Sequence, residues 1–223
     1  MTSIAHRYRE IRRRMTEAAQ GAGQPVDQAR LIGVVKGQPA ERIRAAYDAG
    51  LRDFAHSYMN EALAQAQLRA SMPEARWHFI GALQSNKTRH LQDGWYRIHS
   101  VDRLKVARRL GQAEVLVQVK LGGEASKSGV EPAELPRLLQ AIGEFTSVHV
   151  KGLMTLPPPA QHLAPEAAFG QLVEIANAAV QQGDLPAAPE LSMGMSGDFE
   201  AAVAAGAHWV RVGQLLFGDR SRR

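Results

Sequence analysis

Eight short runs rich in β-branched and other apolar residues recur along the chain, and helix-forming stretches fill most of the gaps between them. The runs lie at 31–35, 52–55, 77–80, 96–99, 115–119, 148–154, 190–193 and 208–212. Helical character falls at 39–49, 58–70, 102–110, 132–143, 165–182 and 198–205. Glycine follows four of these stretches, at Gly50, Gly111, Gly183 and Gly206, where a helix C-terminus favours it. Strands alternating with helices predict parallel βαβ units. Eight such units in a chain of 223 residues fit one closed (β/α)8 TIM barrel, with an open doubly wound sheet as the alternative. Residues 3–20 predict an extra helix before the first strand, because Ile4, Tyr8, Ile11, Met15 and Ala18 step by three or four. No composition break divides the chain, so 1–223 reads as a single domain. Pro157, Pro158 and Pro159 form a stiff loop, not a boundary.

Composition removes several function classes. There are no cysteines, which excludes disulfides, thiolate metal sites and cysteine nucleophiles. The eight histidines show no HxxxH or HExxH spacing, so no metal site is expected. No apolar run approaches 18 residues and the N-terminus lacks a hydrophobic signal core, which predicts a cytoplasmic protein with no membrane partner. The net charge is +5, from 27 Lys and Arg against 22 Asp and Glu. Part of that excess sits in arginines at the two ends, including Arg220, Arg222 and Arg223, and aromatics make up only 6%. That distribution predicts solvated surface and no nucleic-acid partner, while a positive field suits a phosphorylated small ligand.

In a barrel, chemistry gathers where strands end. Lys36 follows four mostly apolar residues and would stand at the exit of the first strand. A lysine turned inward there loses hydration, and the uncharged amine is the form that attacks a carbonyl. The bland alternative is a lysine snorkelling to solvent. The segment SMGMSGD at 192–198 follows the seventh strand. Its glycines let backbone amides approach an anion, and Ser196 can add a hydroxyl. Gly213 and Gln214 offer a second set of amides after the eighth strand. Phosphate sites built from these two loops recur in barrels; tight turns and a helix cap are the alternative. Arg211 shares a strand face with Gly213 and would point into the barrel, either to a buried acidic partner or to a ligand heteroatom. An amine, a phosphate cradle and a positioned arginine together point to pyridoxal 5′-phosphate (PLP).

The motifs carry a resemblance. WHFIGALQSNK at 77–87, SKSG at 126–129, KGLM at 151–154, LSMGMS at 191–196 with DFEAA at 198–202, VRVG at 210–213 and FG at 217–218 resemble blocks of the YggS/PROSC group of pyridoxal phosphate homeostasis proteins. The resemblance covers nearly the whole chain. It implies a fold-type III PLP barrel like the N-terminal domain of alanine racemase, with PLP held as a Schiff base on Lys36. It also implies cofactor contacts from Ser57, Ser192, Met193, Ser196, Arg211, Gly213 and Gln214. Arg211 would face the pyridine nitrogen and keep it unprotonated, because adjacent cations repel. Such a ring is a poorer electron sink, which suits a carrier, or a racemase-like reaction, better than transamination.

Two blocks depart from the group. The lysine block reads VKGQP at 35–39 instead of SKxxP, and the second strand exit reads FAHSY at 54–58 instead of FGENY. Ser57 stands where the group has asparagine. Three expectations therefore stand side by side. The first is a non-catalytic monomeric PLP carrier that supplies PLP-dependent apo-enzymes and has no catalytic residues. The second is an amino-acid racemase. It is disfavoured because the resembled racemases take a second base from a further domain, and two-base chemistry needs groups on both substrate faces. His56, His78, His99, Tyr58 and Tyr96 are the candidates for that second group, each with a structural role as the plainer reading. The third is a divergent scaffold that has lost PLP.

Overall fold

The computed structural model describes residues 2–84, 88–121, 128–158, 161 and 163–218. Parts of the WHFIGALQSNK and SKSG blocks, Pro159 and the three C-terminal arginines lie outside the described residues. The eight expected runs form eight strands: β1 (Arg30–Val34), β2 (Asp53–His56), β3 (Arg76–Phe79), β4 (Arg97–Val101), β5 (Glu114–Val119), β6 (His149–Thr155), β7 (Glu190–Ser192) and β8 (Trp209–Val212). They pair in parallel in sequence order, and β8 returns to β1, closing the barrel. The open-sheet alternative is thereby set aside.

Alternation divides each strand between two environments. Outward-facing residues such as Leu31, Val35, Phe54, Trp77, Ile98, Val115, Val210 and Val212 join the large buried core beneath the helices. Inward-facing residues fill the barrel. Ile32, Ala55, Leu116, Met154 and Trp209 make a small apolar cluster there. The N-terminal mouth is closed by ion pairs. Arg76 grips Asp53 with two hydrogen bonds of 2.7 and 2.6 Å. Arg97 grips Glu190 at 3.0 and 2.7 Å and also pairs with Glu114. Lys151 adds a bridge to Glu114 at 2.9 Å, and the Trp209 indole donates to Glu190 at 2.7 Å.

The helices follow the expected pattern with informative exceptions. Helix α1 (Ile4–Gly21) is capped by Ser3, whose hydroxyl accepts from the His6 amide, and buries Ile11, Met15 and Ala19. Helix α2 (Ala40–Asp48) follows β1. The stretch 58–70 breaks at Gln65 into α3 (Met59–Ala64) and α4 (Ala66–Ala70). The expected helix at 102–110 shrinks to α5 (Leu104–Ala107). Ser100, just ahead of it, belongs to β4, and its hydroxyl donates to the Gly81 carbonyl at 2.5 Å. Helix α6 (Leu135–Phe145) runs through Gly143, so that glycine ends nothing. Helix α7 (Pro165–Gln181) is long, whereas α8 (Phe199–Ala204) and α9 (Gln214–Phe217) are short. Helix α1 packs on α8, α2 and α9, and the Arg14–Glu200 ion pair ties it to α8. Among the described residues no helix is long and apolar enough to cross a membrane.

Candidate functional site

The C-terminal mouth holds a cleft of about 400 Å³ lined by Val34, Ser57, Ile80, Leu156, Met195, Ser196, Gly197, Arg211, Gly213 and Gln214. The strand ends and loops that bring these residues together follow β1, β2, β3, β6, β7 and β8. Five of the expected cofactor residues therefore converge: Ser57, Ser196, Arg211, Gly213 and Gln214. Val34, Ile80, Leu156, Met195 and Gly197 complete the wall. Met195 and Gly197 belong to the SMGMSGD segment, whereas Val34, Ile80 and Leu156 were not singled out from sequence, although strand parity marks Val34 and Ile80 as inward-facing.

Lys36 stands two residues beyond Val34 on the same strand parity. It is half-buried, and its Nζ lies 4.5 Å from the centroid of the Tyr58 ring. Tyr58 follows Ser57, so the amine and the cleft wall are held by adjoining loops. The amide of Gly37 donates to Glu61 Oε2 at 3.2 Å, which pins the turn after Lys36 to α3. A second cleft, of about 460 Å³, shares Ser57 and runs past Tyr58, Met59 and Glu61 toward Leu83 and Gln84.

Two glycines shape the mouth. A Cβ on Gly81 would lie 1.9 Å from the Ser57 carbonyl oxygen, so only glycine lets these two loops meet. Gly194 has φ +87°, and a Cβ there would sit 2.5 Å from the Ala202 Cβ. That close approach folds the loop after β7 back onto α8. The Asp198 carboxylate accepts from the Met195 amide at 2.5 Å, closing the turn that presents Ser196 and Gly197.

Ser192 and Met193 lie behind the wall instead of in it. The Met193 amide donates to the Trp209 carbonyl at 3.0 Å and its side chain is in the outer core. The Ser192 hydroxyl is engaged by His99 Nδ1 at 2.8 Å and by Arg211 Nη1 at 2.7 Å. Arg211 is buried with no carboxylate in contact among the described residues. Its other polar contact runs from Nη2 to the Thr155 carbonyl at 2.8 Å. Burial lowers its pKa to about 10, with a small opposing effect from Asp198, so the guanidinium is still charged at neutral pH. The acidic partner weighed from sequence is thus replaced by a hydroxyl and a carbonyl.

His78 and His99, weighed as second catalytic groups, are fully buried inside the barrel and not in the cleft. Burial drives both pKa values down, His99 most strongly, and keeps them uncharged at neutral pH. His56 faces outward from β2 into a closed aromatic box, stacked on Trp77 at 5.1 Å. Among the described residues no cluster of three His, Asp or Glu side chains is placed to hold a metal ion.

Comparison with known proteins gives this geometry its family. The family model for the alanine racemase N-terminal domain matches residues 2–221. A pyridoxal phosphate homeostasis protein of Pseudomonas aeruginosa is 43% identical, across 99% of this chain and 97% of that protein. The chain belongs to the pyridoxal phosphate homeostasis family. An Escherichia coli protein of the same name is 35% identical over 99% of this chain and 98% of its own length. The structure of PipY from Synechococcus elongatus with PLP bound matches this homeostasis-family chain with a TM-score of 0.79 and 38% identity, covering 92% of this chain and all of that one. Alanine racemase from Corynebacterium glutamicum shares the fold alone, at 18% identity and a TM-score of 0.71.

The residues of this family member fit the cofactor its relatives are named for. A phosphate needs convergent neutral donors, and Ser196, Gly197, Gly213 and Gln214, which line one cleft, are of the kind that would offer them. Ordinary van der Waals contact surrounds a Cβ built on Gly213 (3.5 Å to Val34), and nothing lies within 4 Å of one on Gly197. A heteroaromatic nitrogen needs a fixed donor, and Arg211 is one. An aldehyde needs an amine, and the Lys36 amine stands on the loop beside the cleft wall, where it would meet one.

Proposed function

We propose that the chain is a PLP-binding homeostasis protein that holds the cofactor covalently through Lys36 and releases it to apo-enzymes without turnover. One observation carries this reading: Ser196, Gly213, Gln214 and Arg211 converge on one cleft at the barrel's C-terminal mouth, with the Lys36 amine on the adjoining loop. When bound, PLP would supply a reactive aldehyde, and Lys36 would provide the amine that meets it. Ser196 and the two glycine loops hold the phosphate. Arg211 donates to the ring nitrogen and, being a cation itself, opposes its protonation. Val34, Ile80 and Leu156 exclude water from the ring. The departures from the group's usual motifs leave these parts intact. Ser57 still faces the cleft, and His56 points away from it into the outer core.

The test is a loading and transfer experiment. Purified protein incubated with PLP and desalted should retain about one cofactor per chain. It should then restore activity to a PLP-dependent apo-enzyme, while racemising neither D- nor L-alanine. Turnover of either alanine enantiomer would make the chain an enzyme instead. Failure to retain PLP would favour the scaffold reading.

A further inference from the structure

An unbroken polar path crosses the barrel interior from the N-terminal mouth to the cleft. Asp53 Oδ1 lies 3.1 Å from His78 Nε2. His78 Nδ1 lies 2.9 Å from His99 Nε2, and His99 Nδ1 lies 2.8 Å from Ser192 Oγ. Ser192 Oγ in turn accepts from Arg211 Nη1 at 2.7 Å. All five side chains are buried. Trp209 packs edge-on against both imidazoles, and Tyr96 packs edge-on against His78, so the path is walled by rings.

The two ends fix the direction of every hydrogen bond between them. A guanidinium only donates and a carboxylate only accepts. Ser192 accepts from Arg211 and therefore gives its own proton to His99 Nδ1. His99 must then donate from Nε2 to His78 Nδ1, and His78 must donate from Nε2 to Asp53. Each link is satisfied with both imidazoles neutral and protonated on Nε2. The reverse direction would make Ser192 Oγ accept from His99 and Arg211 alike. It would also place an imidazolium among Arg76, Arg97 and Arg211, the charged groups that face this path besides Asp53.

We propose that Asp53, His78, His99 and Ser192 form one oriented hydrogen-bond chain whose role is to position Arg211 against the ligand bound at the C-terminal mouth. They are positioning residues, since none but Arg211 lines the cleft. Fixed dipoles aligned in a low-dielectric interior hold a donor more rigidly than a solvated contact could. The chain also links the buried Arg211 cation to a carboxylate on the far side of the barrel, and it commits the Ser192 proton away from the ligand. This inference rests on the PLP reading for the identity of the ligand, but the oriented chain itself does not.

Two measurements separate those claims. Imidazole 15N NMR of the ligand-free protein at pH 7 should show His78 and His99 neutral and protonated on Nε2. An imidazolium, or a proton on Nδ1 of either ring, would overturn the chain whether or not PLP binds. The second measurement is a double-mutant cycle on PLP affinity and on the absorption maximum of the bound cofactor. His99→Phe and Arg211→Lys should each weaken binding about tenfold and shift the maximum, and the double variant should be no worse than Arg211→Lys alone. Ser192→Ala serves the same cycle if His99→Phe does not fold. Additive losses would mean that His99 does not act through Arg211, and the proposal would fail while PLP binding stood. A wild type that takes up no PLP but shows the expected tautomers would leave the chain standing and remove the PLP reading.

Discussion

His56 is buried with both ring nitrogens lacking a hydrogen-bond partner among the described residues, and the Trp77 indole beside it is in the same state. Burial, reinforced by the Arg69 charge, lowers the His56 pKa to about 3. An unsatisfied buried polar group costs about 1–3 kcal/mol, so His56→Phe should raise the melting temperature at pH 7. A lower melting temperature in that variant would show that the ring makes a polar contact after all. Gly81 gives the opposite case. Gly81→Ala drives a methyl into the Ser57 carbonyl. The loop shift should cost about 1–3 kcal/mol in urea denaturation and weaken PLP retention together, because Ser57 lines the cleft. Loss of stability with unchanged PLP retention would separate Ser57 from the site. At this scale the sequence was partly legible. Strand parity placed Arg211 facing inward and beside Gly213, and glycine spacing placed Ser196 at the mouth. Parity does not say how far along the barrel axis a residue sits, and the Ser192 contact implied by the family resemblance meets a hydroxyl already engaged by His99 and Arg211, one layer below the cleft. One partner of Arg211 was hidden for the same reason: the Thr155 carbonyl ends β6, two strands away from β8, and reaches the guanidinium only across the barrel's interior.

Helix α1 precedes the first βα unit and is bound to the barrel through its apolar stripe. Ile11 is almost fully buried there, and Ile11→Ala should cost about 2–5 kcal/mol by urea denaturation. A loss below about 1 kcal/mol would mean that α1 can detach without disturbing the barrel. The stripe was readable because a period of 3.6 over 18 residues has few competing explanations. The short helices were not readable in the same way. Only four residues of the expected helix at 102–110 are helical, because β4 continues to Val101 and Ser100 is drawn onto the Gly81 carbonyl. Gln65 interrupts 58–70 even though its local propensity favours helix. Its side-chain amide reaches the Gln38 carbonyl at 3.2 Å, a tertiary contact that no local pattern encodes.

Among the described residues of the barrel, four histidines have pKa values lowered mainly by burial: His56, His78, His99 and His208. In the unfolded chain each takes up a proton near pH 6.5, whereas the folded protein does not, so stability must fall as pH drops below that value. Each such group adds a slope of up to about 1.4 kcal/mol per pH unit. Carboxylates act in a lower window. At Asp53 and Glu190 burial opposes ionisation, but hydrogen bonds from His78 and Arg76, and from Arg97 and Trp209, outweigh it and hold both below their ordinary values. Their contribution is present above the unfolded carboxylate range and is lost only as pH falls through the lowered folded values. Unfolding free energies measured from pH 8 to 3 should therefore decline from about pH 6.5 and steepen below about pH 4.5, and His56→Phe should flatten the first limb. A flat profile between pH 7 and 5 would mean that the buried histidines titrate freely. Closure of the barrel was legible from eight evenly spaced runs because a parallel strand order leaves few alternatives once each crossover is a helix. The interior ion pairs and the histidine path were not, because they join residues far apart in sequence. Whether Lys36 holds PLP at the C-terminal mouth is decided by the visible spectrum of the protein with added PLP before and after borohydride, beside Lys36→Ala. The carrier reading predicts a yellow adduct that borohydride fixes to Lys36 and that the variant lacks. A colourless wild type, or an adduct that survives in Lys36→Ala, would contradict it.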